Sequence, residues 1–362
     1  MNDKLERLHQ LVQGKRKVLI VTHTNPDPDS IASAYALRHL FASWKINSVL
    51  VYGGIIGRAE NKAMINRLRI PIRSIQTVNP FNFTVVAIVD AQPFGGNAPL
   101  PPSLVPSIVI DHHPARKVTH LKKVSFVDIR SNYGSTSTIL AEYLLEEGIE
   151  LNRKLATALY YGIMSDTRDL GRNANEVDVR ISTQLYSKVL VKTLSQIEHP
   201  RLPREYFRIL QEALERTMWY PSKGVLISDL GGIVDPDMVP IIADFLIRTD
   251  GVRWILALGE RDHEAFFSLR ATGYHKGNAD KLARDLIRGI GGGSAGGHEN
   301  IAGGRVELVP PLSREDVAKK LKERFLKRLG CDISKGVSFV KMREEGVLNG
   351  DQDGEDRDPG GQ

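Results

Sequence analysis

The chain has 362 residues, enough for two domains at ~150 residues each, with 41% hydrophobic and 25% charged residues. That composition excludes a fibrous or wholly disordered chain, and no apolar run approaches the ~18 residues that cross a bilayer. The formal charge of +6 conceals an acidic end, because VLNGDQDGEDRDPGGQ carries five acids and one arginine, a net of −4 that leaves the body near +10.

A basic body suits a polyanionic partner such as a nucleotide or RNA, and it equally serves solubility. The single cysteine, Cys331, excludes an intrachain disulfide and a thiolate metal site, in keeping with a reducing, cytoplasmic location. The opening MNDKLERLHQLVQGKRK reads as an amphipathic helix, since charges interrupt the apolar core that a secretory signal needs.

Short apolar runs then alternate with helical patterns. KVLIVTH reads as a buried strand, DSIASAYALRHLFASW as a helix, NSVLVYGG as a strand and RAENKAMINRLRI as a helix. FTVVAIVDAQ and SIVIDHHP are two further strands that run into aspartate. Continuous Val and Ile strands separated by helices imply an α/β domain whose mostly parallel sheet is covered on both faces. Ligands of such sheets bind beyond the carboxyl ends of the strands. Helices STSTILAEYLLEEG and RKLATALYYGIMSDT follow, then a long helical stretch from Glu176 to Trp219. A smaller α/β unit begins near Tyr220, with strands GVLISDLGG, VRWILALGERD, EAFFSLRAT and RVELV, helices between them and a glycine-rich loop. The expected organisation is a catalytic domain over 1–190, a helical linker over 191–219, a substrate-binding domain over 220–345 and a disordered acidic tail over 346–362. Substrate is expected in a cleft between the two domains.

Four separate segments bring acids and histidines to the strand or helix ends. His23, Asp27 and Asp29 follow the first strand, Asp90 and then Asp111, His112 and His113 end two others, and Asp166 closes a helix. Carboxylates with imidazoles suit Mn²⁺, Mg²⁺ or Zn²⁺. The set is large enough for two ions. In an extended turn Asp27 and Asp29 point the same way, so each can face a different metal, with His23 reaching back and Asp90 able to bridge. Two close cations activate a water and neutralise a phosphoryl group, which makes phosphoester hydrolysis the chemistry that follows.

These residues resemble the DHH phosphoesterase family over nearly the whole chain. HTNPDPDSIAS is similar to its first motif, IVDAQ to the second, IDHHP to the third and GIMSDT to the fourth. GIGGGSAGGHENIAGG resembles the signature of the accompanying DHHA1 domain. The resemblance implies two divalent ions, Mn²⁺ foremost, one held by His23, Asp27 and Asp90 and the other by Asp29, Asp90, His112 and Asp166. It implies catalytic roles for Asp90 as the bridge, for His113 on the scissile phosphate and for Asp111 in orienting the histidines.

Substrate binding is expected at Arg270, a phosphate clamp with a planar fork. It is also expected at the glycine loop, where Gly292 and Gly293 or Gly296 and Gly297 precede His298, adjacency favouring the second pair. The branch resembled implies hydrolysis of very short RNA oligonucleotides or linear dinucleotides, and removal of the 3′-phosphate of pAp. A cyclic-dinucleotide phosphodiesterase and a non-catalytic nucleotide sensor are the alternatives, and a second copy of the chain is a further candidate partner. Pro28, between the two aspartates, departs from the family pattern and is expected to stiffen the turn.

Overall fold

The computed structural model describes residues 3–15, 17–93, 97–115, 121–272, 278–297 and 300–340. His298 and the acidic tail lie outside them. The chain divides into two compact units, Met1–Arg201 and Leu202–Gln362.

The first unit is built on a six-stranded sheet of β1 (Val18–Thr24), β2 (Ser48–Gly53), β3 (Ile72–Ser74), β4 (Val85–Val89), β5 (Ile108–Asp111) and β6 (Phe126–Ile129). Their spatial order is β3-β2-β1-β4-β5-β6, and every neighbouring pair is parallel. The Val and Ile runs are buried on both faces because the pleat sends alternate residues to opposite layers. Val18 and Ile20 pack into one core, Leu19 and Val21 into the other. The short outer strands β3 and β6 leave no clear pattern in the sequence.

The first helix, Asp3–Val12, buries Leu5, Leu8 and Val12 on one face. Its Lys4 reaches the buried Asp128 of β6 at 2.6 Å, and the Tyr143 hydroxyl donates to the same carboxylate. Helix Pro28–Ser43 is buried nearly all round and is clasped by helices Thr136–Glu146 and Arg153–Thr167. The last of these comes close at Gly162, where a Cβ would stand 2.5 Å from Ser137 Oγ and 3.0 Å from Ala32 Cβ.

The second unit holds a seven-stranded mixed sheet in the order β11-β12-β10-β9-β8-β7-β13. It comprises β7 (Met218–Tyr220), β8 (Val225–Gly232), β9 (Trp254–Arg261), β10 (Glu264–Ala271), β11 (Gly293–Gly297), β12 (Ile301–Glu307) and β13 (Val337–Ser338). Among the described strands of this second sheet only β8 and β9 pair in parallel. Helices Ala279–Ile287 and Arg314–Leu329 cover one face, and Arg204–Arg216 and Met238–Leu246 the other. Trp254 is buried edge-to-face against Phe325, with ring centroids 6.4 Å apart, and so serves the core.

The stretch expected as a linker is shared between the units. Helix Val191–Glu198 gives Leu194 and Ile197 to the first core, while Arg204–Arg216 gives Ile209 and Ala213 to the second. Its apolar faces were spaced for burial, and a free linker would leave them in water.

An alanine in place of a helical glycine ordinarily stabilises by about 1 kcal/mol. Gly162→Ala is expected to do the reverse, costing about 1–3 kcal/mol through the forced separation of packed helices. Thermal unfolding of the variant measures the sign, and a raised Tm would refute the close-packing argument.

Candidate metal centre

The strand order of the first sheet reverses between β1 and β4, and the carboxyl ends of strands flanking that point leave a crevice. His23 lies at the end of β1, Asp90 directly after β4 and Asp111 at the end of β5. Asp90 has left-handed backbone (φ 58°), a conformation that aspartate tolerates better than most residues. Its N–H donates to Ile110 O at 2.9 Å, fixing the turn by which the side chain enters the crevice.

The expected extended turn at Asp27 to Asp29 is instead the start of a helix. Asp27 is the N-cap, its Oδ1 accepting the Ser30 N–H at 2.9 Å, and Pro28 occupies the first helical turn. Proline is suited there because its φ is already helical and its missing N–H would have had no partner. Asp29 is thereby turned inward, and both its oxygens accept backbone N–H groups at the N-terminus of helix Thr136–Glu146, Thr136 at 2.8 Å and Ser137 at 2.7 Å.

Three overlapping sets of groups result. His23, Asp27 and Asp90 present atoms within 4.8 Å of one another, as do Asp29, His112 and Asp166, and Asp90, His112 and His113. His23 Nε2 stands 3.5 Å from Asp27 Oδ1 and 3.6 Å from Asp90 Oδ2. His112 Nε2 stands 3.6 Å from Asp90 Oδ1 and 3.2 Å from Asp166 Oδ2. Asp90 therefore faces both histidines with different oxygens. The structure brings together all eight residues singled out in this half of the sequence.

The imidazoles are prepared for a cation. His23 Nδ1 lies 2.9 Å from Thr24 O and His112 Nδ1 3.2 Å from Tyr133 O. A carbonyl only accepts, so each ring carries a proton on Nδ1 and, in its neutral form, turns the Nε2 lone pair into the crevice. His112 Nε2 is buried and has no hydrogen-bond partner. A buried nitrogen without a partner, beside carboxylates, is the situation that coordination relieves. The donors are oxygen and imidazole nitrogen, a set that fits Mn²⁺.

The carboxylates carry the complementary strain. Burial, then the charges of Asp29, Asp27, Asp111 and Asp166, push Asp90 well above the usual carboxylate range. Asp29 is raised likewise by burial and by Asp166 and Asp27, and Asp166 is raised mainly by burial. Burial pulls the His23 ring down, but the charge and hydrogen bond of Asp27 outweigh it and raise its pKa to about 8. Asp111 behaves differently: burial would raise it, yet hydrogen bonds from His113 Nδ1 at 2.9 Å and Gln92 Nε2 at 2.8 Å hold it low. Asp111 thus stays ionised and fixes the His113 ring.

Residues behind these groups were not individually assigned from the sequence. Thr136 Oγ1 donates to Asp90 Oδ1 at 2.9 Å, and Gln92 ties Asp111 to the carbonyls of His113 and Pro114. The signal available was the serine and threonine cluster GSTST before an apolar helix, which reads as a cap without revealing whose carboxylate it meets.

The residues expected to bind substrate in the second unit are placed differently. Arg270 is buried, and its guanidinium already holds Asp244 Oδ1 at 2.5 Å and Oδ2 at 3.2 Å, with further bonds to Ser268 Oγ and Leu269 O. The glycine-rich segment is an edge strand in place of a loop. Gly293–Gly297 pairs with β12, and a Cβ on Gly297 would sit 2.2 Å from Ile301 O, so glycine is required by the close approach of the β12 backbone. The Gly297 N–H donates to Asp280 at 2.8 Å, Gly296 is paired with Gly303, and Gly292 lies against the Glu307 carboxylate. The chain's own carboxylates occupy much of what was read as an anion cradle.

A doubly wound domain with an aspartate and histidine cage at its switch point defines a metal-binding hydrolase class. Residues 17–163 match the DHH family, N-terminal domain, and residues 222–328 match the DHHA1 domain. The chain is 34% identical over 345 residues to an uncharacterized protein of Methanocaldococcus jannaschii, covering 94% of this chain and 67% of that one. It is 31% identical over 170 residues to a probable manganese-dependent inorganic pyrophosphatase of Archaeoglobus fulgidus, covering 41% of this chain and about half, 49%, of that protein. An exopolyphosphatase-related protein of Bacteroides fragilis has the same fold, with a TM-score of 0.72 at 17% identity over 91% of this chain and 97% of the other. The chain belongs to the DHH family of phosphoesterases, with a DHHA1 domain. No helix among the described residues is long and apolar enough to cross a membrane.

The raised groups give the metal-free protein a defined pH dependence. A carboxylate whose folded pKa is raised binds its proton more tightly when folded, so its stabilising contribution is present at low pH and is lost as pH rises above about 4. His23 adds to the same trend, its contribution being lost as pH rises from ~6.5 through about 8. Chelated protein should therefore lose stability across that window, and Asp90→Asn should raise it at pH 8 by about 1–3 kcal/mol. The same variant should lose most of the Tm increase that Mn²⁺ gives the wild type. Thermal melts with chelator and with Mn²⁺ measure both effects, and an unchanged Mn²⁺ increment would remove Asp90 from the site.

Proposed function

We propose that the chain is a Mn²⁺-dependent phosphodiesterase that hydrolyses very short RNA oligonucleotides and linear dinucleotides to mononucleotides, with 3′-phosphatase activity on pAp. The observation that carries the hydrolytic reading is Asp90 set between His23 and His112, with Nε2 of His112 buried and unpartnered. His23, Asp27 and Asp90 would hold one divalent ion, and Asp29, Asp90, His112 and Asp166 a second. When bound, such a pair supplies an activated water and neutralises phosphoryl oxygens.

The chain's own residues do the rest. Thr136 and the turn at Asp90 hold the shared carboxylate in place, and Thr24 and Tyr133 fix the ring tautomers. Asp111 orients His113, which donates a hydrogen bond to the scissile phosphate and steadies charge developing there. Selection of nucleotides is assigned to the DHHA1 domain on the strength of the family match, not on Arg270, whose fork is already filled. A second reading, hydrolysis of a phosphoanhydride such as pyrophosphate, is favoured by the manganese-dependent pyrophosphatase relative.

Comparing kcat/KM on pApA, ApA, pAp, cyclic di-AMP, cyclic di-GMP and pyrophosphate in Mn²⁺ separates these readings. The proposal expects pApA first and pAp measurable. Asp90→Ala and His112→Ala should each reduce turnover by at least about 1000-fold while the fold persists. Preference for pyrophosphate would select the second reading, and tight nucleotide binding without product would make the protein a sensor.

A further inference from the structure

Directly after Asp166 the chain doubles back through a segment of unusual backbone. Arg168, Asp169 and Leu170 are consecutive left-handed residues (φ 48°, 56° and 66°), and Asn173 is a fourth (φ 55°). None is glycine, so each departs from the conformation its side chain favours. The shape is held by Asp169 N–H on Met164 O, Leu170 N–H on Thr167 Oγ1, Gly171 N–H on Arg168 O and Arg172 N–H on Thr167 O. Its effect is to return Arg172 to Asp166.

We infer that Arg172 is a phosphate-binding residue of the hydrolytic site, gripping a phosphoryl oxygen of the substrate beside Asp166. Its Nη2 donates to Asp166 O at 2.9 Å and stands 3.8 Å from Asp166 Oδ1, the oxygen other than the one nearest His112. Arg172 Nε is buried and makes no hydrogen bond. Structural arginines in this chain are paired otherwise: Arg130 is bound by Asp128, Glu142 and Tyr133, and Arg270 by both oxygens of Asp244. A guanidinium with five donors, one backbone acceptor and a loose ion pair retains capacity for another acceptor. Charge favours an anion. The inference rests on the two-ion reading above, in which Asp27, Asp29, Asp90 and Asp166 balance two divalent cations and the ionised Asp111 is engaged by His113 and Gln92, so that Arg172 is left with only its loose pairing to Asp166. A planar fork at the rim of such a site matches two oxygens of a phosphate.

The test uses the full chain loaded with Mn²⁺, as wild type, Arg172→Ala and Arg172→Lys. Calorimetry measures binding of inorganic phosphate and of Mn²⁺, and steady-state assays measure kcat and KM for pApA. The expected result for Arg172→Ala is a phosphate affinity lowered about 10- to 100-fold, a similar or larger fall in kcat/KM, and Mn²⁺ affinity and Tm unchanged. Arg172→Lys should recover part of the phosphate affinity, since it keeps the charge and loses the fork. Unchanged phosphate affinity in Arg172→Ala, or a loss matched by an equal loss of Mn²⁺ affinity, would overturn the inference, the latter making Arg172 a brace for Asp166. A wild type that binds phosphate with Mn²⁺ but hydrolyses no nucleotide would defeat the proposed function, while the phosphate titrations would still decide the role of Arg172. A Mn²⁺-loaded wild type that binds no phosphate overturns it.

Discussion

Like charges held close together out of water organise this protein. Asp29, Asp90 and Asp166 are forced into one crevice, and burial together with the charge of neighbouring aspartates, Asp27 among them, raises all three. Such an arrangement is costly in a bare protein and becomes favourable when divalent cations take the place of protons. The two histidines are set for the same exchange, because their Nδ1 protons are committed to carbonyl groups and Nε2 is left to a metal or a competing proton.

The surrounding fold exists in large part to hold these groups against that repulsion. The parallel sheet aligns the ends of β1, β4 and β5 at the point where strand order reverses. Helix Pro28–Ser43 begins on Asp27 and carries Asp29 into the N-terminus of helix Thr136–Glu146, where backbone N–H groups and the helix dipole favour negative charge. Gly162 lets a third helix close beneath them, its missing Cβ making room for Ser137 and Ala32. Behind that layer Asp178 gathers the Gly134 N–H and the Thr138 hydroxyl, so the loop that supplies the Tyr133 carbonyl is itself anchored.

The second domain shows how misleading a local pattern becomes when its partners are unknown. Glycines in GGGSAGG suggested a cradle for a phosphate, yet Gly293 and Gly297 are needed because the backbone of β12 leaves no space for a Cβ there. Arg270 suggested a clamp, yet Asp244 lies 26 positions earlier and fills its fork. Conversely, Arg172 had no motif to mark it. Its place beside Asp166 depends on a run of left-handed residues that composition does not announce.

The sequence by itself determined the class of the first domain, since Val and Ile runs alternating with helical periods leave few arrangements besides a covered parallel sheet. It also determined which side chains could carry chemistry, because four segments ended in aspartate and histidine and matched one family's motifs. The short strands β3 and β6 and the shared fate of 191–219 were decided in three dimensions, where neighbouring surfaces supply the burial that a few residues cannot signal. Pro28 illustrates the division. Its position between two aspartates was plain in the sequence, but only the tertiary structure made it the first turn of a helix, capped by one aspartate and burying the other against a second helix. Periodicity reports what a segment prefers, whereas hydrogen-bond partners distant in sequence decide which charges meet and what they can hold.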